Sequence, residues 1–233
     1  MNKNLIIASC IALTFAIAFI FTPKIAMRIE LAKIETTNQQ VQEQLAKKSP
    51  TQNSLEVQFI CQAPLETEAN WVYHEESCEE AALIQAYNYE LGLTTTPEEA
   101  DKLILDMIAW QEANMGGHHD LYSEGMRTFA TEYLGLKEEE FVTISPASIH
   151  QIKQQIDLGH PVIAPVTSQY LENPYYPHPG YHMLVVTGYT ETHIITNDNG
   201  TRHGEDFAYE YAKFDKALQD AGGAIFVLNL QNN

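Results

Sequence analysis

The sequence predicts an α+β domain in which helices come first along the chain and strands come second. Helix-start residues and apolar repeats at helical spacing occupy residues 77–158, whereas short runs rich in Val and Ile, bounded by turn residues, follow residue 160. Helices followed by a run of strands favour an antiparallel sheet with helices packed against it, because a parallel sheet would require the two kinds of element to alternate.

An uncharged apolar run, Leu5–Thr22, comes before this domain. As a helix this run would span about 27 Å, which is close to the thickness of a bilayer core. We therefore expect residues 1–26 to form one transmembrane helix that anchors the chain, with the domain outside the cytoplasm. A signal peptide cleaved after Ala18 is the alternative, and cleavage would release the domain as a secreted protein.

A polar linker is expected at residues 27–56, and the domain itself at residues 57–233. Of the 13 basic and 31 acidic side chains in the chain, residues 1–56 hold six and four, so the domain holds seven and 27 and carries a net charge of −20. Such a field repels nucleic acid and anionic lipid headgroups, so the domain is expected to bind neither.

Four helices are predicted in the first part of the domain. In the first, Cys78–Leu91, the preceding Ser77 and the following Glu80 have the spacing of a capping box, and a glycine ends the run. The second begins after Thr96 with the same spacing and a proline at its first position. The third and fourth helices are expected over residues 125–134 and 145–158.

Four strands are predicted after the helices, over residues 161–166, 182–189, 192–196 and 224–230. The second and third of them are separated by a short turn near Thr190, so they should pair as a hairpin. If the hairpin is centred on that turn, residue 182 lies across from residue 198.

Cys78 is the candidate nucleophile, because the start of a helix offers free backbone N–H groups and a positive dipole end to a thiolate. Four nearby carboxylates oppose that effect, so activation requires a neighbouring imidazolium. A buried, inert thiol is the ordinary alternative. A disulfide with Cys61 is another, since the domain is expected to be exported.

His182 opens a predicted strand and can supply the imidazole, although a histidine can also begin a strand without any function. Asp198, placed beside it by the hairpin, would fix the tautomer of the imidazole and stabilise its cation. Asn197 would replace Asp198 if the register shifted by one residue. Upstream, the side-chain amide of Gln62 and the backbone N–H of Cys78 could hold a developing oxyanion.

Four sequence blocks and one tryptophan carry a resemblance to a known family: Phe-x-x-Gln-Ala-Pro at residues 59–64, Trp71, Ser-Cys-Glu-Glu-Ala-Ala at 77–82, Tyr-His-Met-Leu-Val-Val-Thr-Gly-Tyr at 181–189, and Asn-Asp at 197–198. Together they resemble the C39-like peptidases, which are relatives of the double-glycine peptidases that trim bacteriocin leaders and are similar in fold to papain.

The resemblance implies a papain-like cysteine peptidase fold. It also implies that Cys78 is the nucleophile, His182 the general base and acid, Asp198 the orienting residue and Gln62 part of the oxyanion hole. Two features depart from the family pattern. Glu79 stands where many members have glycine, and Gln62 lies sixteen residues before the cysteine, further than in the leader-trimming enzymes.

Two loops have conspicuous compositions. Residues 116–120 contain adjacent histidines and an aspartate, but they lack the ligand spacing of a zinc site, so we expect a solvent-exposed loop. Residues 170–179 are rich in proline and aromatic side chains, and we expect them to overhang the cleft.

The sequence as a whole predicts a thiol hydrolase that cleaves peptide bonds in a peptide or protein substrate through a thioester on Cys78, with no metal or cofactor. It would act outside the cytoplasm, tethered to a membrane by its N-terminal helix. An amidase or transpeptidase using the same residues is the alternative within enzymes, and a non-catalytic peptide-binding module is the alternative outside them.

Overall fold

The computed structural model describes residues 53–65, 67–176 and 180–230. Over these residues the chain forms six α-helices: α1 (Glu68–Tyr73), α2 (Cys78–Leu91), α3 (Pro97–Asn114), α4 (Ser123–Thr128), α5 (Ile149–Leu158) and α6 (Tyr211–Asp220). It forms seven strands: β1 (Asn53–Ser54), β2 (Phe141–Ile144), β3 (Val162–Thr167), β4 (Tyr181–Tyr189), β5 (His193–Asn197), β6 (Phe207–Glu210) and β7 (Ile225–Leu228).

The strands form one antiparallel sheet in the order β2-β7-β3-β4-β5-β6, with β1 paired to β4. The predicted α+β class with an antiparallel sheet is therefore confirmed. The predicted transmembrane helix at residues 1–26 lies outside the described residues. Among the helices that are described, none combines the length and the apolar character needed to cross a bilayer.

Helix α2 is the central helix of the domain. It packs against β4, β3 and β7 on one side and against α3 on another, and ten of its fourteen residues are buried. A helix enclosed in this way is expected to be apolar on all sides. The exceptions are four buried polar side chains, Glu79 and Glu80 in its first turn and Gln85 and Asn88 further along the helix.

The ends of the helices agree with the sequence in part. Thr96 and Glu99 form the predicted capping box at α3, and Gly92 ends α2 in the left-handed conformation, with φ of 64°. The capping box predicted at α2 is wrong. Ser77 makes no side-chain cap, and its hydroxyl faces the ring of His74 at 3.4 Å, because the carboxyl of Glu80 is held inside the protein.

The fourth predicted helix begins later than expected, at Ile149 instead of Ser145. The preceding residues form β2, whose pairing with β7 extends to Ile144, so the chain must turn before a helix can begin. Several further elements were not predicted from the sequence. These are β1, β2, β6, α1 and α6.

Strand β1 pairs with Gly188 and Tyr189 of β4, so the sheet begins within the segment expected to be a linker. Close approach of the two strands requires glycine at position 188, where a Cβ would lie 2.7 Å from the carbonyl oxygen of Asn53.

The hairpin of β4 and β5 has a different register from the predicted one. Val185 pairs with Asn197 and Val186 with Thr196, and a bulge separates Val186 from Gly188. The predicted pairing of residues 182 and 198 is therefore wrong, and Asp198 follows the end of β5. The extra residue at the bulge and the turn beyond it shift the pairing by two to three positions.

Candidate active site

Cys78 is the first residue of α2 and is 5% exposed at the floor of a cleft of about 310 Å³. The backbone N–H of Met183 lies near its sulfur, and its carbonyl oxygen accepts the side-chain amide of Asn199 at 2.9 Å. The nucleophile candidate is thereby held against β4, next to the residue that follows His182.

His182 lies near the start of β4 and lines the same cleft. Its Nε2 is 2.9 Å from Oδ1 of Asp198, so the buried carboxylate fixes the proton on that nitrogen and leaves Nδ1 as the proton acceptor. The ring of Tyr176 packs edge-on against the imidazole at a centroid distance of 5.3 Å. On another side lies Gly200, where a Cβ would come within 2.8 Å of His182 Cε1.

Asp198 is fully buried and accepts several hydrogen bonds. Besides His182, the hydroxyls of Tyr176 and Tyr209 donate to it, as do the amide of Asn173 and the backbone N–H of Gly200, both at 3.3 Å. Burial by itself would raise the pKa of this carboxyl, but the imidazole and the two hydroxyls outweigh burial and lower it. Asp198 is therefore ionised beside His182.

Gln62 lies in the wall of the cleft and is 4% exposed. Its amide nitrogen donates to the carbonyl oxygens of His74 at 2.8 Å and Glu75 at 2.6 Å, and its backbone N–H donates to Asn199 at 2.9 Å. Both hydrogens of the amide nitrogen therefore have acceptors in the substrate-free protein. In this arrangement Gln62 fixes the turn that leads into Cys78, and its amide offers no spare N–H to an oxyanion.

The carboxyl of Glu79 lies beside the sulfur of Cys78, with Oε2 at 3.1 Å from Sγ. Burial raises the pKa of the Cys78 thiol well above its ordinary value, and the charge of Glu79 raises it further when that group is ionised. The thiol is therefore neutral at rest, and a base is required to remove its proton.

The mouth of the cleft is acidic and aromatic. Glu75, Glu76 and Asp120 lie on its wall together with Trp71 and Tyr181. The pKa of Glu76 is raised by burial and by the negative charges of Asp120 and Glu75. The cleft therefore presents concentrated negative charge to a substrate.

Cys61 does not reach this cleft. It lines a separate cavity beside Pro97 and Arg202, and both Cys61 and Cys78 are free thiols. The structure therefore contains no disulfide between them.

The loop with paired histidines is not simply exposed to solvent. Nε2 of His118 lies 3.2 Å from Oε1 of the buried Glu80, and hydrogen bonding to that carboxyl raises the pKa of His118. Among residues 53–65, 67–176 and 180–230, no group of three or more potential ligands is placed to hold a metal ion.

The structure adds residues that the sequence analysis did not select. Tyr176 belongs to the loop that was expected to overhang the cleft, and it lines the cleft as predicted, but its bond to Asp198 was not foreseen. Tyr209 and Asn173 complete the set around Asp198. Only the aromatic richness of residues 170–176 gave a signal, because the bonds join segments that are far apart in sequence.

Comparison with known proteins agrees with this architecture. A crystal structure from Bacillus anthracis, of a protein provisionally assigned as a C39-like peptidase, superposes with a TM-score of 0.54 at 16% identity. The match covers 78% of this chain and 99% of the other. Among curated protein sequences, none matches the chain significantly. The model of the Peptidase_C39 like family matches residues 54–224, and the chain therefore belongs to that family.

Proposed function

We propose that the protein is a cysteine peptidase in which Cys78 attacks the carbonyl carbon of a peptide bond. The proposal is carried by one observation: Cys78, at the start of a helix, lines the same cleft as His182, whose imidazole is held by an ionised, buried Asp198. A nucleophile, a base and a group that orients the base are the parts that acyl transfer requires.

The reaction begins when Nδ1 of His182 takes the thiol proton as the sulfur bonds to the carbonyl carbon. The tetrahedral intermediate then collapses, the carbon–nitrogen bond breaks, and the leaving amine takes the proton from His182. A water molecule, deprotonated by the same nitrogen, hydrolyses the thioester and regenerates the thiol. Asp198 stabilises the imidazolium that forms in each half of the reaction.

The backbone N–H of Cys78 is the proposed oxyanion donor, because the first N–H groups of a helix have no acceptor within that helix. Gln62, predicted as a second donor, is assigned to hold the residues before Cys78 through its bonds to His74 and Glu75. It can serve the oxyanion directly only if a substrate oxygen replaces one of those carbonyls.

Iodoacetamide labelling of the full-length chain tests the nucleophile and the base, with Cys61 as a control in the same molecule. Cys61 is also buried, with a raised pKa, but lies outside the cleft. We expect Cys78 to react at least about tenfold faster than Cys61 at neutral pH, because His182 can take the thiol proton as the sulfur attacks, whereas no imidazole of the described residues lines the cavity of Cys61. His182→Ala should remove this difference without changing Cys61. Equal rates in the wild type would contradict the proposal and favour a non-catalytic module.

Digestion of a peptide library should show cleavage that Cys78→Ser abolishes, with Lys or Arg enriched near the cleaved bond. The acidic wall attracts such side chains, since two unit charges about 4 Å apart interact by a few kcal/mol near a protein surface. The double variant Glu76→Gln, Asp120→Asn should lose the enrichment but still cleave neutral peptides. Cleavage enriched in acidic residues would contradict this preference, and release of ammonia from side-chain amides without peptide cleavage would indicate an amidase.

The site of action is part of the same proposal. The apolar run at Leu5–Thr22 would tether the enzyme to a membrane, with the domain outside the cytoplasm.

A further inference from the structure

A buried carboxyl group touches the atom that the proposed chemistry uses, yet no step above involves it. Oε2 of Glu79 is 3.1 Å from Sγ of Cys78, while Oε1 accepts the backbone N–H of Leu121 at 2.7 Å. Glu79 is 1% exposed, so water does not compete for either oxygen. The sulfur is therefore in contact with a carboxyl group, in the same cleft as the imidazole of His182.

One imidazole, that of His118, lies beside the two adjacent carboxyls of Glu79 and Glu80. Glu80, the next residue on α2, is equally buried; it is 3.2 Å from His118 and accepts a hydrogen bond from Gln111. His118 therefore compensates Glu80. Among the described residues, the other titratable groups beside Glu79 are the thiol of Cys78 and the phenol of Tyr181 on β4, which Asp120 also influences, and none of these is a cation.

Glu79 is accordingly the carboxyl that remains protonated. Burial, and then the charge of Glu80, raise its pKa to about 8. The position of the proton follows from the geometry. Because Oε1 accepts the N–H of Leu121, it acts as the carbonyl oxygen, and the proton belongs on Oε2. In the resting protein Oε2 accepts the thiol hydrogen of Cys78, and it can turn its own hydrogen to the sulfur once the thiol proton has gone to His182.

We propose that protonated Glu79 donates a hydrogen bond from Oε2 to the thiolate of Cys78 and so stabilises the nucleophile. This inference rests on the proposed function and adds a third side chain to its reaction centre. The thiol proton still goes to Nδ1 of His182, and the proton of Glu79 remains on Glu79 throughout. The carboxyl is a donor in this scheme and not a base.

The sign of the pH dependence follows from this assignment. Below about pH 8 Glu79 is neutral and assists the thiolate. Above that pH it becomes a carboxylate in contact with the sulfur, and it opposes a second negative charge at that place. We therefore expect the reactivity of Cys78 to stop rising, or to fall, on the alkaline side.

Glu79→Gln tests the inference, because glutamine copies the protonated form and cannot ionise. Its oxygen can accept the N–H of Leu121, and its nitrogen can donate to the sulfur. We expect Cys78 in this variant to be alkylated at a rate close to the wild-type rate at pH 7, and about tenfold faster than wild type at pH 9.5. Glu79→Leu, which has no donor, should lose about tenfold or more at pH 7.

Parallel pH profiles for the wild type and Glu79→Gln would overturn the inference, since they would show that Glu79 is only structural. Loss of reactivity at pH 7 in Glu79→Gln would also overturn it, because the ionised carboxylate would then be the active form. Failure of the proposed function has a different signature: wild-type Cys78 would label no faster than Cys61 at any pH.

Thermal unfolding gives a readout that does not depend on activity. Because the folded state holds a proton on Glu79 that the unfolded chain releases near its ordinary pKa of 4.5, the stability from this group is full below pH 4.5 and is lost by about pH 8. The wild type should therefore lose stability across that window relative to Glu79→Gln. An equal slope in both proteins would contradict the neutral carboxyl.

Discussion

Cys78→Ser and His182→Ala should each lower kcat/KM for a cleaved peptide by about 10⁴-fold or more, and the double variant should be hardly worse than either single one. Nucleophile and base act as one unit, so the loss of either removes the same proton-coupled attack. The residual rate would come from binding and from the backbone N–H at the start of α2. Steady-state kinetics on a peptide identified by the library digest provide the measurement.

Cys61→Ser is the matched control for this prediction, because it changes a buried cysteine outside the cleft in the same way. It should leave kcat/KM near the wild-type value. If the losses from Cys78→Ser and His182→Ala simply multiplied in the double variant, the two side chains would not be acting in one step, and the proposed mechanism would be wrong.

Asp198→Ala should cause losses of both activity and stability. Removing this carboxylate leaves His182 without its orienting group, for which we expect a loss of about 10⁴-fold in kcat/KM. It also leaves several buried donors without an acceptor, including the hydroxyls of Tyr176 and Tyr209, so the free energy of unfolding should fall by about 3–5 kcal/mol. Denaturant unfolding and peptide kinetics measure the two effects separately.

The change in the free energy of unfolding at acid pH tests the ionisation of Asp198 independently. Since the pKa of Asp198 is lowered in the folded protein, its contribution is fully present above the ordinary value of 3.8 and is lost as the pH falls further. In Asp198→Ala this loss of stability with falling pH should be absent. Asp157 is the matched control: it also accepts a tyrosine hydroxyl, from Tyr189 at 2.6 Å, but lies outside the cleft. Asp157→Ala should leave kcat/KM unchanged. If it lowered kcat/KM as much as Asp198→Ala does, Asp198 would have no specific role in catalysis.

The sequence predicted the parts of the fold that have strong local signals. Helix α3 has a complete capping box and a proline at its first position, and β4 is a long run of apolar residues bounded by turns, so local chemistry defined both. The short strands β2 and β6 have only four residues each, and their place depends on partners elsewhere in the sheet. No local pattern could have supplied those partners.

The sequence indicated which residues lie at the candidate site better than it indicated the hydrogen bonds among them. Sequence patterns alone indicate Cys78, His182 and Asp198, although the hairpin register that would place Asp198 opposite His182 is changed by a bulge in β4. The capping box expected from Ser77 and Glu80 does not form, and the reason is physical. A glutamate three residues into a helix is usually exposed, but here the carboxyl is enclosed with His118 and Gln111, which come from another part of the chain.

Asn199 imposes an order on the assembly of the candidate site. Its side chain holds the carbonyl of Cys78 and its own carbonyl holds the N–H of Gln62, so both residues are tied by a residue more than a hundred positions later. Chains are synthesised from the N-terminus, and the nucleophile therefore leaves the ribosome well before the residue that secures it. A nascent or truncated chain that ends before Asn199 carries the thiol but not the site, so the thiol gains its function only when most of the domain has been made.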